Sequence, residues 1–496
     1  MKVGRNLTIG LANSIWSAII AFAVVPIYLK YLGAESYGLI GFFTTTQALI
    51  ALLDLGLSST INREIAKSTS ETERTEAAKL LHSLAVIYWG IAILILVGVI
   101  LLSPLIANHW LQAKQLPTNT VLHAIMLIGL VIACRWPIAL YQGALMGSHR
   151  LALQSGINII MATLSSLGAV LVLITISPTI EAYFIWQAIV GGIYVTVIRN
   201  AAWKVVGRPN DLRFDWAQLK SIWRFSLGMT GIGITSLAFT QLDKVILSKM
   251  LSLEQFGHYM LASMLVSGLY LLIIPVYNIV YPKLSELVAK GETNQLITLY
   301  IVGTRALTSV LFPIAMILAL FSQSIFSIWT MNAQLAQNVA PIVSLLAIGS
   351  ALHGAMYFPY ALQLAYGMSK LALNINIVLM GTFGPLIILF TLNYGVFGSA
   401  YAWLIVQILY LLFGSWRTHQ QLLKPLYLTW LTQSVFIPLF ITLCVGTITY
   451  YGFNISSYNP ALQLLIAISA FFIALTLNTF SSSALRLLIQ KRLAPA

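Results

Sequence analysis

A chain of 496 residues that is 59% hydrophobic and only 8% charged has too little polar surface to cover a water-soluble globule of its size, so soluble fold classes are excluded. Its formal charge of +14 is then chiefly a signal of which side of a membrane the basic residues occupy, with a lesser part from contact with anionic lipid, and no nucleic-acid partner is expected. The apolar runs are 18 residues or longer rather than alternating segments of about ten, which also excludes an outer-membrane barrel.

Taken in order, the predicted membrane helices cover about 7–29, 37–57, 80–106, 121–146, 153–176 and 180–198, then 225–247, 256–281, 296–326, 340–363, 372–392 and 395–414, and finally 428–451 and 460–480. The expected fold class is an all-α integral membrane protein with about 14 transmembrane helices. Lys2 and Arg5 ahead of an apolar run imitate a cleaved signal, but the run continues to Leu32, too long for such a segment, so the first helix is expected to be retained. The turn that follows, Lys30 to Leu39, carries Gly33 for a helix end and Glu35 for the N-terminal dipole of the next helix.

That turn returns. Lys249 to His258 repeats it at an offset of 219, matching Lys30 with Lys249, Glu35 with Glu254, Tyr37 with Phe256 and Gly38 with Gly257. The turn Gly147 to Gln154 is echoed by Gly367 to Asn374 at 220, pairing Arg150 with Lys370, and Arg199 matches Arg417 at 218. The chain therefore reads as a duplication: a six-helix lobe in 1–210, a second in 211–420, and two further helices with a basic tail in 421–496. Six spans between matching elements make the repeats parallel, an arrangement suited to transport by rocking one bundle against the other. The linker 199–224 is expected to be a plain connector, with an amphipathic interfacial piece around Trp216 to Trp223 as the alternative.

With the N-terminus placed inside, 21 of the 27 Lys and Arg residues fall in cytoplasmic segments and only Lys30, Lys114 and Lys249 fall outside. Both termini are expected in the cytoplasm.

Soluble chemistry is sparse. There is no phosphate-binding Gly-rich loop, no His-Glu-x-x-His, and the two cysteines, Cys134 and Cys444, sit in separate spans. No catalytic residue, metal ligand or cofactor is expected. What remains is charge inside the spans: Asp54, Arg135, Asp243, Lys244 and Arg305. Each costs roughly 2.5–3.5 kcal/mol at a helix centre, so it is expected to face a cavity or a partner. Their counterparts in the other repeat are Ile273, Ala355, Val24, Val25 and Ala85, so the scaffold does not require them. Arg135, Asp243, Lys244 and Arg305 are the candidate substrate-binding residues, set at different depths. Asp243 and Lys244, neighbours about 100° apart on a helix, are expected to face different ways. Asp54 is balanced between a structural pair with Arg63 and a functional role, and His353 is kept as a candidate proton-linked group.

The run Tyr31 to Leu39, then Leu53-Asp54-Leu55-Gly56-Leu57, Asn62-Arg63-Glu64-Ile65-Ala66 and Tyr141 to Gly147 resembles the signature of Wzx-type O-antigen and polysaccharide flippases of the multidrug/oligosaccharidyl-lipid/polysaccharide exporter superfamily. The resemblance implies a bacterial inner-membrane protein of the lipopolysaccharide type of pathway. It would move an undecaprenyl-pyrophosphate-linked oligosaccharide to the outer leaflet, among membrane lipids and beside the polymerase and chain-length machinery. It also implies coupling to a proton or sodium gradient, which no residue pattern here displays. The alternatives are a multidrug or metabolite exporter of the same superfamily and a membrane-embedded polymerase or glycosyltransferase. The longest outer loop, about 107–120, offers only Lys114 and His109 as reactive side chains, which disfavours the enzyme.

Overall fold

The computed structural model describes residues 2–209, 214–216, 219–220, 240–453, 455–483 and 485–486. Among these residues there are twelve helices long and apolar enough to cross a membrane and no β-strand, with a single isolated bridge between Gln112 and Ser252. They group into two compact units, Met1–Gly257 and His258–Ala496.

The difference from fourteen spans has local causes. The first two expected helices are one element, α1 (Lys2–Ile50), broken at Gly33 with φ 78° and ψ 172°. Unbroken, its 49 residues would extend roughly 74 Å, more than twice the apolar thickness, so the break is where one span becomes two. The expected span 225–247 lies mostly outside the described residues, as does most of the proposed interfacial segment of the linker. The expected span 256–281 is two helices, Leu253–Ser267 and Tyr270–Lys290.

In the first unit α2 (Leu57–Lys67) leads into α3 (Glu71–Leu105), which opens on a capping box in which the Ser70 hydroxyl and the Glu73 carboxylate exchange hydrogen bonds with each other's backbone N–H. Then follow α4 (Thr118–Arg135), α5 (Ile138–Gly147), α6 (Leu151–Thr175) and α7 (Ile180–Val206). Helix α5 packs on α2 through Gly143 and Gly147, four residues apart. A Cβ on either would run into a backbone carbonyl of α2, that of Ser58 or of Asn62. This is the small-residue crossing by which apolar helices associate in lipid. Two of the sequence signatures, Tyr141–Gly147 and the stretch around Asn62, are thus the two sides of one contact.

The duplicated turns also meet within this unit. Gly38 lies against the carbonyl of Leu253, and Gly257 lies against the carbonyl of Ala34. Since Ala34 and Leu253 occupy matching repeat positions, the contact is reciprocal. The loop after α3 stitches it: Leu253 N–H donates to the Gln112 carbonyl at 2.9 Å, the Gln112 amide donates to the Lys249 carbonyl at 2.9 Å, and Trp110 donates to Ser248 Oγ at 3.0 Å. The buried Glu35 carboxylate does not cap its own helix. It accepts the backbone N–H groups of Lys114, Gln115 and Leu116 at 2.5–2.8 Å and so fixes that loop.

In the second unit, α8 (Tyr270–Lys290) precedes α9 (Thr293–Leu320), against which α10 (Ala333–Ala355) packs. Tyr300, Thr304 and Thr308 form a buried polar stripe on α9 at a spacing of four. Thr304 Oγ1 accepts from Trp430 Nε1 at 3.1 Å, Thr308 Oγ1 donates to the Ser434 carbonyl at 2.7 Å, and Tyr300 stacks on Trp430 at 5.9 Å. The stripe docks the segment that begins the thirteenth expected span. Met316, Val445, Ala470 and Ala474 close the apolar side of the same contact, so both C-terminal helices belong to the second unit's core.

Candidate functional site

In the first unit the transmembrane interior carries a polar seam on α4 to α7. Its head is Arg135, the last residue of α4, half-buried, with Nη2 donating to Gln187 Oε1 at 2.5 Å and to Ser165 Oγ at 3.3 Å. Ser165 Oγ donates to the same Gln187 oxygen at 2.6 Å, and the guanidinium lies 5.5 Å over the ring of Phe43. Two turns further along α7, Gln142 Nε2 donates to Tyr194 OH at 2.9 Å and to Asn158 Oδ1 at 3.3 Å, and the Tyr194 hydroxyl donates to the same Asn158 oxygen. Asn158 and Ser165 are seven residues apart on α6, so the seam runs roughly 10 Å along the helix axis. Every described partner of Arg135 is neutral. Its charge is spread over dipoles and a ring face, and no carboxylate among the described residues neutralises it.

Asp243 and Lys244, in the same unit, correct the expectation that they diverge. Lys244 Nζ sits 3.2 Å from Asp243 Oδ1 and 2.9 Å from the Thr240 carbonyl. Helix geometry separates the two Cα–Cβ vectors, but the four-carbon lysine stem curls back and closes the pair. The counterparts Val24 and Val25 are both buried. Asp54 is corrected as well: Arg63 pairs with its neighbour Glu64 at 2.7 Å, while Asp54 accepts from Tyr88 OH and, at 2.8 Å, from Ser58 Oγ. With α2 starting at Leu57, Ser58 stands one turn beyond Asp54 and Arg63 lies on a different face.

Arg305, in the second unit, faces no open space. It is 4% exposed and donates to the carbonyls of Gln433 and Asn478 and to Ser481 Oγ, which fastens the two C-terminal helices to α9. Removing it deletes the three charge-assisted hydrogen bonds that tie α9 to the two C-terminal helices, roughly 1.5–3 kcal/mol for each. Arg305→Ala is therefore expected to lower membrane abundance severalfold and to shift the melting midpoint of the solubilised protein downward. Normal abundance with lost transport would return Arg305 to the substrate path.

His353 anchors a cluster that sequence reading missed. Tyr270 OH is 2.8 Å from His353 Nδ1, and the imidazole lies 5.5 Å from the Tyr357 ring and 5.8 Å from that of Tyr410. Beyond it Tyr277 stacks on Tyr281 at 5.8 Å and on Tyr360 at 6.0 Å. Tyr270, Tyr277 and Tyr281 are spaced by seven and four, one face of α8. That spacing is visible in the sequence but is masked by the tyrosine content of membrane helices in general. Tyr277, Tyr281, Tyr357 and Tyr360 remain partly exposed. Among the described residues no group of His, Cys, Asp and Glu could hold a metal.

A family model described as polysaccharide biosynthesis protein matches residues 3–288, more than half of the chain. The chain belongs to that family. No curated relative matches at the level of sequence. In fold, the chain is similar to the lipid II flippase MurJ in an inward closed conformation, with a TM-score of 0.71 and 15% identity over 93% of this chain and 97% of that one. It is similar too to an inward-facing multidrug resistance MATE family transporter of the MOP superfamily, TM-score 0.61, 14% identity, 84% and 95% covered. A MATE transporter of Vibrio cholerae, VcmN, aligns with TM-score 0.58 and 18% identity over 86% of this chain and 96% of that one. The family member thus has the MurJ and MATE transporter fold, a multi-pass membrane architecture.

Proposed function

We propose that the protein is a flippase that carries an undecaprenyl-pyrophosphate-linked oligosaccharide, an O-antigen or other surface-polysaccharide unit, from the cytoplasmic to the outer leaflet of a bacterial inner membrane by alternating access. The observation that carries this reading is Arg135. A guanidinium held inside a membrane protein by neutral acceptors is incompletely compensated, so an entering phosphate gains the full charge interaction without first breaking an ion pair. Its planar donors match phosphate oxygens in pairs and stay charged. The half-exposed tyrosines of the second unit offer ring faces with hydroxyl tips, the amphipathic surface that pyranose rings stack on. An inside-negative potential assists an outgoing anion by about 2.3 kcal/mol per charge per 100 mV, so the protein lowers a barrier more than it supplies work.

The exporter alternative calls for a carboxylate free to hold a cation. Asp243 is closed by Lys244 and Asp54 by Tyr88 and Ser58, which favours the anionic substrate. In this reading Asp243 and Lys244 open toward the substrate only when their pair parts, His353 with Tyr270 is the place for proton coupling, both termini are cytoplasmic, and the polymerase and chain-length machinery take the product.

Deleting the gene is expected to abolish surface polysaccharide and to accumulate the lipid-linked oligosaccharide in the inner leaflet, with complementation restoring both. An unchanged surface polysaccharide combined with altered sensitivity to cationic drugs would replace the flippase with the exporter.

A further inference from the structure

The second unit holds a groove of about 550 Å³ that the transport reading does not use. It opens between two helices that form a hairpin closing at Gly395: α11 (Ser369–Tyr394) and the run Val396–Leu422. Three of its lining residues, Lys370, Asn374 and Val378, recur every four positions along α11. Three more, Gln421, Arg417 and Phe413, recur every four along the facing run. Because the helices are antiparallel, both stripes begin polar at the same end and become apolar about 12 Å deeper. Val378 is 51% and Phe413 41% exposed, so the apolar floor is open rather than packed. No acidic residue lines the groove, and neither Lys370 nor Arg417 pairs with a carboxylate among the described residues.

A rim of two uncompensated cations above an apolar floor is the complement of an amphiphile with an anionic head. A soluble phosphate would leave Val378 and Phe413 unused, and an acidic peptide has no need of a floor set deep in the membrane helices. The geometry points to a site for an anionic glycerophospholipid of the surrounding bilayer. Its phosphate sits between Lys370 and Arg417, and its acyl chains lie along Val378 and Phe413. A zwitterionic head group would bring an ammonium to two cations and gain little.

The duplication supplies an internal comparison. In the first unit the matching residues are Arg150, Gln154 and Asn158 on one stripe and Trp203, Arg199 and Val195 on the other. The cations persist, but Asn158 stands in place of Val378 and is committed to Gln142 and Tyr194, while Val195, in place of Phe413, is buried, so no open apolar floor remains. Arg150 instead lines a polar cavity of about 300 Å³ with Arg74 and His149. Basic residues at this end are thus common to both repeats, whereas the graded groove belongs to the second alone.

The test is native mass spectrometry of the purified full-length protein titrated with phosphatidylglycerol, phosphatidylethanolamine or a polyprenyl pyrophosphate. About a tenfold preference for phosphatidylglycerol over phosphatidylethanolamine is expected. The doubly substituted Lys370→Gln, Arg417→Gln protein is expected to lose that preference, while Arg150→Gln with Arg199→Gln keeps it. Phe413→Ser is expected to weaken phosphatidylglycerol binding with both cations in place. The wild-type comparison of head groups needs no variant, so a poorly folding mutant leaves the central measurement intact. Equal binding of the two phospholipids overturns the proposal, as does an unchanged preference in the Lys370, Arg417 variant. Displacement of phosphatidylglycerol by much lower concentrations of the polyprenyl pyrophosphate also overturns it, by assigning the groove to the transported lipid.

Discussion

Arg135→Ala is expected to reach the membrane at near-normal abundance and to reduce polysaccharide export to below about a tenth, with Arg135→Lys retaining part of the activity. The first half of that expectation follows from the partners. Gln187 and Ser165 remain bonded to each other without the guanidinium, since Ser165 Oγ donates to Gln187 Oε1 at 2.6 Å and Gln187 Nε2 donates to the Ser165 carbonyl at 3.3 Å. No acceptor is left alone, so the folded state loses little, unlike the Arg305 site, where three hydrogen bonds between helices would go. The second half follows from charge. Alanine removes the positive centre of the seam, and a buried charge-assisted hydrogen bond to phosphate is worth roughly 1.5–3 kcal/mol, about ten- to a hundredfold in rate if it is felt at the barrier. Lysine keeps the charge but gives a point contact instead of paired donors. The measurement is surface polysaccharide per unit of membrane-localised protein. Normal export by the alanine variant removes Arg135 from the substrate path. Loss of protein in step with loss of export makes it structural.

The contrast between the two arginines shows where sequence reading stops. Membrane insertion, helical class and the repeat were legible because they depend on composition and on residues counted along one chain. Lys30–Leu39 and Lys249–His258 could be aligned by eye, and the reason they are alike is now visible in the reciprocal approach of Gly38 and Gly257. Intramembrane charge was legible as a list, but its sorting depends on what stands opposite. Arg135 and Arg305 looked equivalent in sequence, since each is a lone cation matched to an alanine in the other repeat. Only packing distinguishes a guanidinium resting on neutral side chains of its own bundle from one that bonds two other helices to its own. The Asp243–Lys244 pair was not legible, because the backbone angle between neighbours on a helix does not fix where a flexible lysine end sits. The lipid groove was also out of reach, because neither of its stripes is unusual until the hairpin sets one against the other.

Gly38→Ala and Gly257→Ala are each expected to destabilise the protein strongly and by similar amounts. At either position a Cβ would fall well inside van der Waals distance of a backbone carbonyl, Leu253 in one case and Ala34 in the other. Backbone cannot swing aside as a side-chain tip can. The crossing has to open, and opening it strains the Leu253–Gln112 hydrogen bond and the loop that Glu35 holds. Overpacking of this kind costs about 1–3 kcal/mol in a well-packed core and more where backbone must move. Gly10 and Gly98 lie inside helices and have no atom within 4 Å of such a Cβ, so alanine there is expected to be neutral or slightly stabilising. Because both substitutions open one crossing, the double variant should lose less than the two singles added together, since the second methyl enters a gap already made. Thermal unfolding of the solubilised protein, followed for both singles, the double and a Gly98→Ala control, reads this directly. Full additivity would mean that the two contacts are independent, and the duplicated turns would then be alike for a reason other than packing on each other.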